Sequence, residues 1–174
     1  NLMFVPSIAA TFSEEQCRKW LPLASSWQVI GAYCQTELGH GSNVRALETT
    51  VTYIPETDEF DVHSPTITST KWWPGALGQS ANHGMVYGRL VVEEKDLGIH
   101  NFLVPLRDMR THKPCRGVTL GDIGPKIGYN NQDNGFCRFN HVRIPRENMG
   151  MRYAVLAPFP PAEVFATAEA WAAN

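Results

Sequence analysis

Hydroxyls, glycines and a carboxylate crowd into one short stretch, Gln35-Thr36-Glu37-Leu38-Gly39-His40-Gly41-Ser42-Asn43. Two adjacent indoles and a Pro-Gly turn follow at Lys71-Trp72-Trp73-Pro74-Gly75. The first stretch comes straight after an apolar run, Val29-Ile30-Gly31-Ala32-Tyr33-Cys34, so it reads as a strand end opening into a polar loop. Glycine lacks a Cβ, so Gly39 and Gly41 can take positive φ and bring backbone N–H groups against a ligand. Thr36 and Ser42 carry hydroxyls that both donate and accept. That suits a heterocycle with imide N–H and carbonyl groups side by side, as in a flavin. If Lys71–Gly75 is extended, successive side chains alternate, and only one of Trp72 and Trp73 faces such a ligand. Each piece also has a plainer explanation: Thr, Ser and Gly are ordinary turn residues, and paired tryptophans fill cores and interfaces.

The elements that must position these residues are mostly strands. Ser13-Glu14-Glu15-Gln16 is a capping box, with Ser13 as N-cap, and it predicts a helix to about Ala24 that Pro22 ends or kinks. From Trp27 onward the pattern changes. Residues 47–54, 66–73, 83–93, 99–104 and 136–144 are rich in Val, Ile, Thr and aromatics and are separated by Pro, Gly, Asn and Asp clusters. Several strands at short spacing without helices between them predict an all-β sandwich or barrel. After Pro158-Phe159-Pro160-Pro161, which breaks any strand, residues 162–173 place Val164, Ala168, Trp171 and Ala172 at helical spacing. The expected organisation is 1–26 as the end of a preceding helical domain or linker, 27–153 as a β-domain, and 154–174 as a linker and the start of a helical segment.

At 174 residues and 43% hydrophobic, the chain suffices for one buried core and is short for two domains. A formal net charge of −2 gives no electrostatic case for nucleic acid or an anionic membrane surface. No apolar stretch has membrane-spanning length and no signal peptide is readable, so no membrane insertion is expected. The chain opens on Asn1 rather than methionine, which reads as an excised or processed piece. Cys17, Cys34, Cys115 and Cys137 lie far apart with no Cys-x-x-Cys pair and no His at zinc-ligand spacing. No metal site is therefore assigned. Cys34 and Cys137 fall in apolar strand patterns and read as small buried hydrophobes.

With Leu47-Glu48-Thr49-Thr50-Val51-Thr52-Tyr53, Gly121-Asp122-Ile123-Gly124-Pro125-Lys126-Ile127-Gly128-Tyr129, Asp133-Asn134-Gly135 and Arg143-Ile144-Pro145-Arg146-Glu147-Asn148-Met149, the two opening motifs resemble the middle domain of the peroxisomal acyl-CoA oxidases, within the acyl-CoA dehydrogenase superfamily. The similarity runs from about Phe12 to Tyr153. Dehydrogenases of the superfamily usually read Thr-Glu-x-Gly-Ala-Gly-Ser-Asp at the first motif, whereas this chain has His40 and Asn43, which fits the oxidase branch. The resemblance implies a mainly β fold, the superfamily's middle β-barrel with short helical segments at both ends. It also implies FAD, a fatty acyl-CoA substrate, and oxidation to trans-2-enoyl-CoA with reduction of O2 to H2O2 in peroxisomal fatty acid β-oxidation. Carried over position by position, Thr36 and Gly75 contact the flavin, Gly39, Gly41 and Ser42 shape the loop, and Trp73 flanks the ring.

The family's glutamate base lies in a carboxy-terminal helical domain, so no catalytic residue is assigned here. Glu37 matches the flavin loop rather than the base. The implied partners are the helical domains of the parent chain and a second subunit in a homodimer. The location is the peroxisome, although Ala172-Ala173-Asn174 is not a Ser-Lys-Leu type signal. The competing readings are a β-barrel binding module that uses Trp72 and Trp73 as an apolar platform, and a dehydrogenase rather than an oxidase. Gly121, Gly124 and Gly128 read as loop punctuation. His40 reads as a turn histidine, and Arg107, Arg110, Lys113 and Arg116 as a solvated basic face.

Overall fold

In a computed structural model, which describes residues 3–157 and 164–166, two helices lead into a set of curled sheets. The elements are α1 (Phe4–Thr11), α2 (Glu14–Ser25), β1 (Gly31–Cys34), β2 (Thr50–Ile54), β3 (Glu59–His63), β4 (Lys71–Gly75), β5 (His83–Val92), β6 (Lys95–Pro105), β7 (Val118–Asp122), β8 (Asn134–Phe139), β9 (Val142–Pro145), β10 (Ala154–Leu156) and β11 (Val164–Ala166). The larger sheet has the order β1-β5-β2-β3-β9, with β6 also paired to β5. The smaller has the order β4-β8-β7. Both β1 and β2 run parallel to β5, along its first and second halves, while β5 and β6 form a long antiparallel hairpin.

Alternation in β5 and β6 builds two cores. Val86, Phe102 and Val104 face inward with Cys34, Val51, Phe60, Cys137 and Phe139, while Met85 and Leu103 face the other way. Those two side chains meet Phe4 and Ile8 of α1, Phe12 just after it and Ala24 of α2, so the helices dock on the outside of the β5–β6 hairpin. Gly31 permits that docking, because a Cβ there would lie 2.2 Å from the Phe4 ring.

The capping box forms as expected: Gln16 N–H donates to Ser13 Oγ and Ser13 N–H to Gln16 Oε1. Pro22 does not end α2, which runs on to Ser25. A proline near the end of a helix removes only one N–H, and the Pro22 carbonyl still accepts from Ser26 N–H at 3.0 Å. α1 lies within the 1–26 stretch expected as the end of a helical domain or linker, but its N-cap, Met3, makes no side-chain cap hydrogen bond, so no local signal marked its start. The expected strand 136–144 is two strands, β8 and β9, turned at Asn140-His141 with His141 at φ 53°. Residues 66–70 turn rather than extend, so β4 starts at Lys71, and β3 and β7 are additional strands. Gly121 therefore sits in β7 and is not loop punctuation. Its lack of a Cβ accommodates Phe136, which would lie 2.9 Å away. Val164–Ala166 pair antiparallel with β10 where helical spacing was expected. The remainder of that expected helix, and the Pro158–Pro161 break, lie outside the described residues.

Gly135 opens the contact between β8 and the turn after β4. A Cβ there would stand 2.3 Å from Gly78 N and 2.6 Å from the Leu77 carbonyl carbon, both backbone atoms with no rotamer to yield. Gly135→Ala is expected to destabilise the chain by about 3 kcal/mol, read as a lowered urea midpoint at unchanged m value.

Candidate functional site

The stretch after β1 zips onto the stretch leading into β4. Trp72 N–H donates to the Thr36 carbonyl at 2.9 Å, Leu38 N–H to Thr70 at 2.8 Å and Gly39 N–H to Thr68 at 3.0 Å. The two opening motifs are thus one ribbon in space. Glu37 and Lys71 sit opposite each other on it, both side chains 0% exposed, with Lys71 Nζ 2.9 Å from Glu37 Oε1.

Both members of this ion pair are fully hydrogen-bonded, whereas the buried hydroxyl of the neighbouring Thr70 has no partner among the described residues. Lys71 Nζ also donates to the carbonyls of Tyr87 (2.6 Å) and Gln35 (3.3 Å). Glu37 accepts from Glu48 N–H, Thr49 N–H and the Thr49 hydroxyl at 2.8, 3.0 and 2.6 Å. Burial pushes the Lys71 ammonium down from its ordinary value, and the adjacent Glu37 carboxylate pulls it back. A carboxylate so enclosed is not poised to take a proton from a substrate. Glu37 is structural, and its role follows from Lys71, thirty-four positions away, which no local signal pairs with it.

The glycines serve close approach rather than unusual backbone. Neither Gly39 nor Gly41 takes positive φ, contrary to expectation. A Cβ on Gly39 would lie 2.7 Å from Thr68 Cβ, whereas Gly41 is open, with nothing within 4 Å. His40 is not a free turn histidine. Its Nε2 lies 2.8 Å from Glu48 Oε1, and Glu48 also accepts from the Thr66 and Thr68 hydroxyls. The hydroxyls of Thr36 and Ser42 have no hydrogen-bond partner among the described residues.

β4 separates its indoles as alternation requires. Trp72 stacks on Phe136, with ring centroids 6.0 Å apart, while Trp73 is 52% exposed. Trp73 (φ 83°) and Ala76 (φ 67°) both hold left-handed backbone around Gly75, at a register shift in the β4–β8 pairing. Such conformations cost of order 1–3 kcal/mol each and persist only where their surroundings fix them. Here the fixing residues come from the Asp133-Asn134-Gly135 motif. Asn134 Nδ2 donates to the Trp73 carbonyl at 2.6 Å, Ala76 N–H donates to the Asp133 carbonyl at 2.6 Å, and the Asp133 carboxylate accepts from Gln79 and Ser80. Gly75 then lines a cavity of about 250 Å3 with Gly31, Tyr33 and Gln132, and a Cβ on it would meet the Gln132 amide at 3.1 Å.

Arg107 leaves the expected basic face. It is buried, and its guanidinium donates to the carbonyls of Leu77, Gly78 and Ala81 after the β4 turn, while Arg110, Lys113 and Arg116 are exposed. Cys34 and Cys137 are both buried in the core, where burial raises their thiols. Sequence reasoning missed Lys71, Asn134 and Arg107 as builders of the site. The one available signal was a charged residue inside an apolar strand pattern.

The hydrogen bonds from Thr66, His40 and Thr68 hold the Glu48 carboxyl below the ordinary glutamate value of 4.5. A carboxyl depressed in the folded state contributes stability that is present above its unfolded value and lost as pH falls through the folded one. Glu48→Gln is expected to be less stable than the parent at neutral pH, with the difference closing below about pH 4.5. Urea midpoints across pH 3–7 check this.

The profile described as acyl-coenzyme A oxidase N-terminal matches residues 1–30. The peroxisomal acyl-coenzyme A oxidase 1 of Arabidopsis thaliana is 57% identical over 153 residues, 86% of this chain and 23% of that protein. The Homo sapiens protein of the same name is 51% identical over 156 residues, 90% of this chain and 24% of its own. Among solved structures, an acyl-CoA oxidase from Lycopersicon esculentum (tomato) superposes with a TM-score of 0.92 at 51% identity, over 95% of this chain and 26% of that one. The acyl-CoA oxidase-1 of Caenorhabditis elegans complexed with FAD and ATP gives 0.88 at 51% identity, over 90% and 24%. The chain spans about a quarter of the length of these relatives.

Proposed function

The chain belongs to the acyl-CoA oxidase family, and on that premise we propose that it is the flavin-contacting β-domain of a peroxisomal enzyme that oxidises fatty acyl-CoA to trans-2-enoyl-CoA. The observation that carries this reading is the buried Glu37–Lys71 pair, which locks the loop bearing Thr36 to the strand bearing Gly75.

The residues present suit FAD. Thr36 offers a hydroxyl with no partner among the described residues, and Gly75 leaves a backbone surface beside a cavity that a side chain would invade. Bound there, FAD would supply the two-electron redox chemistry that joins acyl-CoA oxidation to reduction of dioxygen to hydrogen peroxide. In this reading Thr36 and Gly75 hold the ring, and Gly39, Gly41 and Ser42 set the loop's path. The exposed Trp73 flanks the ring and excludes water. Glu37 and Lys71 keep the contact surface rigid, so that orientation is fixed before substrate arrives. The proton-abstracting base is assigned outside this chain, to a helical domain of the parent protein. A homodimer and packing of the 27–153 unit against such domains belong to the same proposal.

Two outcomes check it. The chain alone is expected to bind FAD weakly or not at all and to produce no acyl-CoA-dependent peroxide, and turnover by the purified chain would contradict the assignment of the base elsewhere. In the parent protein, the double substitution Thr36→Ala with Gly75→Trp is expected to weaken FAD retention by at least about tenfold, roughly the loss of one buried hydrogen bond plus a blocked contact. Equal visible flavin absorbance in the purified parent and variant would contradict the placement of the ring.

A further inference from the structure

A second cavity, of about 890 Å3, is lined by none of the residues of the 36–43 loop or of β4. Its volume falls in the range of small-molecule sites. Arg116, Arg143, His141 and Asn140 line it together with the apolar Cys115 and Val142. The walls are locked to each other. Asn140 N–H donates to the Gly117 carbonyl at 2.8 Å, and Gly117, at φ 81°, could carry no Cβ without striking the Asn140 carbonyl at 2.6 Å.

The charge is left over rather than paired. Arg89, Arg107 and Arg146 are each engaged by carbonyls or carboxylates, whereas Arg116 and Arg143 make no hydrogen bond or ion pair among the described residues. Asp61 stands directly across the β3–β9 ladder from Arg143, yet its Oδ2 is 2.7 Å from His141 Nδ1. That contact and the stacking of His141 on His63, at 4.1 Å between centroids, hold the His141 ring in place. No carboxylate lines the cavity among the described residues, in a chain whose formal net charge is −2. Burial raises the Cys115 thiol, so it is an apolar surface and not a nucleophile.

We propose that this cavity binds a phosphorylated small molecule, with its phosphoryl oxygens held between the Arg116 and Arg143 guanidiniums and its organic body against Cys115 and Val142. Guanidinium forks match phosphoryl oxygens two at a time, and two forks on one cleft suit a dianion better than a single carboxylate. The site is independent of the flavin reading.

The test titrates inorganic phosphate and phenyl phosphate into the chain by calorimetry. Expected are saturable binding of both, tighter for phenyl phosphate, and a loss of about tenfold or more in Arg116→Ala and in Arg143→Ala. Arg143→Lys, which keeps the charge without the fork, is expected to lose part of the affinity. Arg110→Ala, an exposed arginine outside the cavity, is expected to lose none. Absent saturation, equal affinity for the two probes, or an equal loss in Arg110→Ala would overturn the proposal.

Discussion

The Glu37–Lys71 pair is the constraint on which the rest of the site depends. Two full charges with no solvent exposure are tolerated only with near-ideal geometry and complete hydrogen bonding. Satisfying that demand fixes four segments at once. The carboxylate gathers the backbone of Glu48 and Thr49 and the Thr49 hydroxyl, and the ammonium gathers the carbonyls of Gln35 and Tyr87. The loop after β1, the approach to β2, the head of β4 and the middle of β5 therefore meet at one point. A pair of apolar residues could fill the same volume but would specify none of those polar partners.

A second frame serves the other end of β4. Left-handed Trp73 and Ala76 bracket Gly75, and the Asp133-Asn134 backbone and side chains together with the buried Arg107 hold the segment that follows. The candidate cofactor contacts lie between these frames, where the Thr36 and Ser42 hydroxyls have no partner among the described residues and Trp73 is exposed. This division explains how exposed residues such as Gly41, Ser42 and Trp73 can belong to a defined surface while contributing little to the core.

What the sequence made legible was local. The Ser13–Gln16 capping box and the strand expected over 83–93 are written in neighbouring residues, and both appear, the latter as β5. The motif resemblance singled out both the 35–43 stretch and the 71–75 stretch, which the structure joins through Trp72 N–H to the Thr36 carbonyl, because it carries tertiary information that spacing does not. The failures were non-local or compensated. β7 is half polar and contains Gly121, so its strand character comes from pairing with β8. Arg107 looked like surface because its carbonyl partners lie 26 to 30 positions earlier in the chain. The φ values of Gly39 and Gly41 were misjudged because close approach to Thr68, and not backbone handedness, explains the first, and nothing among the described residues crowds the second.

The most direct measurement is a double-mutant cycle on the buried pair, with Glu37→Gln, Lys71→Met and their combination compared by urea unfolding. Each single change leaves a buried polar group without its partner and should cost about 3–5 kcal/mol. The combination should cost less than the sum by about 2 kcal/mol or more, since the two residues act as one unit. Additivity to within about 0.5 kcal/mol would show that the two charges do not depend on each other, and the account of how this site is held together would fail.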